Sequence, residues 1–137
     1  MTSLTAPSRA YVVALRAFAG AVTGIALVAA GNRVSHAISI WALHQGLVEL
    51  YGDWLLPRGI SWAMLGAVAG ILLWFMFRRD AMLPAVVAAF MVPLVTLAAF
   101  TYMGGIDAGF SLFKPYLFET CVVMLTLPGI VYVLRKR

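Results

Sequence analysis

A carboxylate inside an apolar helix is the group in this chain best placed to do chemistry. Glu119 stands about one helical turn inside the last apolar run, where a charge is tolerated only if it faces protein or water. Its functional reading is a proton-titrating or cation-binding carboxylate. Its structural reading is a clamp to Lys114 or a loop residue, or a shallow group reaching headgroup water. Arg16 lies about six residues into the first apolar run, so it can snorkel to the interface along its own stem or hold an anion bidentately. His36 and His44 are eight apart, about 80° and two turns on a helix, which is too far for one ion. They remain candidates for a hydrogen bond to a quinone ring or a pH-sensitive contact with Glu49 or Glu119, beside the plainer reading of interfacial histidines solvated by headgroups. Asp53 and Asp107 read as solvated loop acids.

The rest of the composition narrows the chemistry. A single cysteine, Cys121, excludes an internal disulfide, a CxxC redox pair and a thiolate cage, and two histidines are few for a metal or haem site, so no metal site is expected. The glycine-rich stretch Met103 to Gly109 reads as a flexible loop; it lacks the lysine and the strand-to-helix setting of a phosphate loop. No nucleophile and base pair can be assembled, so enzyme activity is left open, and the sequence names no cofactor.

The elements that must position these residues are membrane spans. Of 137 residues, 64% are hydrophobic and 11% charged, with a mean hydropathy of +0.98, so a large water-exposed catalytic domain is excluded. A span takes about 20 apolar residues, which leaves room for about four. We read an all-α integral membrane protein with one membrane domain over residues 1–137 and spans near 10–31, 59–77, 81–104 and 115–134. The segment 34–57 is long and semi-apolar. Written on a helix, Val34, Ala37, Ile38, Trp41 and Val48 form an apolar stripe opposite the small and polar Ser35, Ser39, Ala42, Gly46 and Glu49. It is expected to be an amphipathic helix lying in the outer interface between spans one and two, with Trp41, Tyr51 and Trp54 in an aromatic belt.

Basic residues orient the spans. Arg9, Arg16, Arg78, Arg79, Arg135, Lys136 and Arg137 fall on one side of a four-span arrangement, against Arg33, Arg58 and Lys114 on the other, which places both termini in the cytoplasm. A fifth span over 34–57 would divide the same residues four against six and bury two His, one Gln and one Glu. The net charge of +5 is then a topology signal with some attraction to anionic lipid, and nucleic acid is not an expected partner. The expected partners are the lipid bilayer and other membrane subunits or further copies of the chain.

Two GxxxG motifs, Gly20 with Gly24 and Gly66 with Gly70, point to close helix packing within the bundle or to dimerisation. Pro84 and Pro93, with Thr96 and Thr101, and Pro128, with Thr126, mark kinks of the kind that line cavities.

Arg16 with Gly20 and Gly24, Gly31 and Arg33 at the end of span one, Phe77-Arg78-Arg79 before an Ala-rich third span, and Leu112-Phe113-Lys114 opening the fourth together resemble the DoxX-like family of small four-span membrane proteins. The glutamate that family usually places in span two has no counterpart here, where Ala63, Gly66 and Gly70 stand, and the glycine spacing in span one is shifted. The resemblance implies a membrane subunit working beside quinone-linked or thiol redox partners. Three functions are therefore expected to compete: an accessory subunit of an inner-membrane complex, a proton- or cation-coupled transporter centred on Glu119, and a small enzyme acting on a lipophilic substrate through Glu119 or His44.

Overall fold

The computed structural model describes residues 9–46 and 55–137, and these are almost wholly helical, with no strand among them. In chain order come α1 (Arg9–His44), α2 (Leu55–Phe77), a 3-10 turn at Arg78–Asp80, α3 (Met82–Phe113), a second 3-10 turn at Lys114–Tyr116, and α4 (Leu117–Lys136). Four helical stretches are long and apolar enough to cross a membrane: Arg9–His44, Leu56–Asp80, Met82–Asp107 and Gly109–Lys136. Large apolar side chains such as Phe18, Phe75, Phe90 and Leu125 point away from the bundle, as they must when the surrounding solvent is hydrocarbon.

The interior is built from small side chains. Ala81, Ala85 and Ala88 of the third helix and the turn before it are fully buried and cluster with Trp62, Leu73, Val123, Leu127 and Val131. α1 packs chiefly on α3, and α2 on α4. The two GxxxG motifs serve these two contacts and do not face each other. A Cβ at Gly24 would lie 2.7 Å from the Ala88 carbonyl oxygen, and one at Gly70 would lie 2.8 Å from the Leu127 carbonyl oxygen. Since lipid removes the hydrophobic drive between helices, such close backbone approach is what holds each pair together.

Two expectations are corrected. The separate interfacial helix over 34–57 does not form in the described part: residues 34–44 continue α1 without a break, and 47–54 lie outside the described residues, together with Val48, Glu49, Tyr51, Asp53 and Trp54. The reason is local, because nothing between Gly31 and His44 breaks a helix; Gly31 is buried against the Trp62 ring, and no proline follows it. At about 1.5 Å per residue, the 36 residues of α1 span about 54 Å, well beyond a hydrocarbon core of about 30 Å. The orientation of the stripe is also inverted. Ser35, Ser39 and Ala42 are buried against the bundle, while Trp41 is 58% exposed. The small and polar stripe is the one that packs on the neighbouring helices.

The glycine-rich stretch is a tight reversal instead of a loop. Gly105 takes φ 80° and ψ 174°, a conformation closed to most side chains, and it interrupts an otherwise helical run. The chain folds back so closely that a Cβ at Gly109 would lie 2.8 Å from the Thr101 Cα. Of the prolines, Pro93 and Pro128 lie inside helices. The hydroxyls of Thr96 and Thr126 donate to the carbonyls of Val92 and Val122, so neither reaches the carbonyl freed by the proline.

Candidate functional site

The most polar part of the bundle interior lies where α2 and α4 begin. Pro57 sits in the first turn of α2, where its missing N–H is not needed, and Arg58 follows it. The backbone there is fixed by Ser61, fully buried, whose hydroxyl donates to the Arg58 carbonyl at 2.8 Å. Glu119 lies in the first turn of α4, the end of a helix that favours an acid. The two side chains meet: Arg58 Nε is 2.6 Å from Glu119 Oε1. The Arg58 guanidinium also stacks over the Tyr116 ring, 5.1 Å from its centroid, and Tyr116 rests in turn on Phe100, ring centroids 5.1 Å apart.

Glu119 is only 1% exposed, and Arg58 is 28% exposed. The contact between them is an ion pair. Neither carboxylate oxygen has a hydrogen-bond donor among the described residues. Glu119 therefore neutralises and fixes the arginine from behind while keeping acceptor capacity of its own.

In front of Arg58 opens a cavity of about 600 Å³. Its wall on α1 is the buried Ser35 and Ser39 flanked by the exposed Asn32, His36 and Ile40, faced by Arg58 and Tyr116. The Ser39 hydroxyl is already committed to the Ser35 carbonyl at 2.8 Å. The donors left to a guest are the outer nitrogens of Arg58, the Asn32 amide, the His36 ring and the Tyr116 hydroxyl. This is a donor-rich concavity, with its cation already balanced.

The four residues singled out from the sequence are thus divided. Glu119 lies behind the cavity and His36 in its wall, joined through Arg58. His44 is exposed in the last turn of α1 and lines no part of it. Arg16 lies at the other end of the bundle, its Nη2 2.7 Å from Asp80 Oδ2, so its partner is an internal carboxylate. Asp107 is exposed, as expected of a loop acid. Among the described residues no group of three His, Cys, Asp or Glu side chains is placed to hold a metal.

Arg58 and Tyr116 are the residues sequence reasoning missed. The signal for Arg58 was available, since a buried glutamate in a membrane helix needs a cation, and only Arg33, Arg58 and Lys114 share its predicted end. Lys114 is nearest in sequence but is exposed. No family model, curated protein or solved structure matches the chain.

Proposed function

We propose that this chain is an accessory subunit of an inner-membrane complex, with both termini cytoplasmic, and that its outer-end cavity holds the acceptor-bearing head of a lipophilic molecule. The observation that carries this reading is the donor set of Arg58, His36, Asn32 and Tyr116 around about 600 Å³ of space. Binding sites between bundle helices are concave, and a few placed polar groups orient the guest. A quinone ring, with carbonyl acceptors on a long apolar tail, has the matching chemistry, and the DoxX-like resemblance points to the same redox setting. The charge-balanced Arg58–Glu119 pair supports holding a neutral head over binding a free cation.

Mild-detergent purification from the native membrane tests this reading, with mass spectrometry of co-migrating proteins and of extracted lipophiles and an absorbance spectrum of the eluate. Partner proteins in fixed ratio, with a quinone or a haem or flavin absorbance, are expected. A colourless homodimer without quinone would contradict it. A second reading, proton-coupled transport centred on Glu119, is favoured by the open acceptor capacity of its buried carboxylate. Glu119→Gln separates the two: transport collapses in a flux assay, whereas a binding subunit continues to assemble with its partners.

A further inference from the structure

The opposite end of the bundle carries a second, differently built cavity. About 370 Å³ is enclosed by Trp74, Arg78 and Arg79 from the end of α2 and its turn, and by Arg135, Lys136 and Arg137 from the end of α4. Basic residues at span ends ordinarily spread outward into headgroups. Here five cations from two distant chain segments converge on one space.

All five are exposed, and two of them are held against aromatic rings. Arg78 has φ 51°, the left-handed region that glycine usually occupies just past a helix end and that is strained for a residue with a Cβ. That turn lays its guanidinium over Trp74 and Phe75, 5.0 and 5.7 Å from the ring centroids. Lys136 is held over the Tyr132 ring at 4.6 Å. Finally, the acid of the same turn, Asp80, is drawn away to Arg16 of α1. Among the described residues the ion pairs are Arg16 with Asp80 and Arg58 with Glu119, so none of the five has an Asp or Glu side chain as partner.

Four guanidinium groups, one of them stacked, beside a lysine ammonium are the chemistry that recognises phosphate, because each guanidinium offers a planar fork of donors to phosphate oxygens and the ammonium adds a point charge. The strain at Arg78 fits a clamp whose geometry is set for a ligand. We propose that this cavity binds a phosphate group, from an anionic lipid headgroup or from a water-soluble phosphate. The proposal is independent of the role assigned to the Arg58 cavity.

Native mass spectrometry of the full chain in neutral detergent tests it, with phosphatidylglycerol, phosphatidylcholine and inorganic phosphate as probes. Phosphatidylglycerol is expected to bind in preference to phosphatidylcholine, and Arg78→Gln or Arg135→Gln each to weaken it about fivefold. Lys114→Gln, which removes one charge at the far end, is expected to leave it unchanged. Displacement by inorganic phosphate would assign the site to a soluble phosphate; retention of the lipid would assign it to the headgroup. Arg78→Gly guards against misfolding, since it relieves the backbone: melting temperature is expected to rise while lipid binding falls. Equal binding of both lipids without any phosphate binding, or equal losses in Lys114→Gln and Arg78→Gln, would overturn the proposal.

Discussion

Each end of the bundle ties two elements with an arginine and a carboxylate, and the two ties differ chiefly in the burial of the acid. Arg58 and Arg16 are almost equally exposed, at 28% and 27%, and the contacts are 2.6 and 2.7 Å long. The acids are not alike: Glu119 is 1% exposed and Asp80 is 56% exposed. An exposed acid keeps its hydration when its partner is removed, whereas a buried one is stranded. One end therefore depends on its pair, and the other merely carries one. The cavities follow the same division. Beside Glu119 the positive charge is balanced and the wall is built from neutral donors; beside Asp80 the acid is taken up by Arg16 and a surplus of cations remains.

The largest effect is expected from breaking the buried tie. Arg58→Ala should cost about 3–5 kcal/mol in detergent unfolding, because the glutamate is left without compensation. Combining Arg58→Met with Glu119→Leu should recover most of that loss, since apolar replacement of a buried pair is often neutral. A single-variant cost below about 1 kcal/mol would place this pair with surface ties. Helix contact comes next. Gly24→Leu drives a side chain into the Ala88 backbone and should cost about 1–3 kcal/mol. Gly129→Ala, where a Cβ meets open space inside α4, should gain about 0.5–1 kcal/mol from helix propensity. Arg78→Gly should gain about 1 kcal/mol by removing the left-handed strain. The smallest change belongs to the exposed tie: Asp80→Asn should cost at most about 1 kcal/mol, and added salt should shrink it further.

Composition was enough to read four spans, because an apolar run of about 20 residues has few alternatives in so short a chain. Glu119 was legible for the same reason, as a charge where charge is expensive. What escaped were the facts set by partners. The stripe of Ser35 and Ser39 has the same periodicity whether it faces water or a protein interior, and only the packing of α1 against the bundle decides which. The apolar run ends near Gly31, ahead of Asn32 and Arg33, but burial of Gly31 against Trp62 makes that glycine a contact residue inside a longer helix. Arg58 was counted only as a topology charge, since the pairing joins residues 61 positions apart, and no local spacing announces that. The reversal at Gly105 was readable as a turn, but its tightness is a property of one backbone angle.

The most direct test of the Arg58 cavity as a binding site compares lipophiles extracted from the purified wild-type chain and from His36→Trp. His36 is exposed and lines the cavity, so a tryptophan there occupies the space without disturbing the core. A quinone enriched over the surrounding membrane in the wild type, and lost in His36→Trp at unchanged melting temperature, is the predicted result. The same lipophile profile in both proteins, with no enrichment in either, would contradict it.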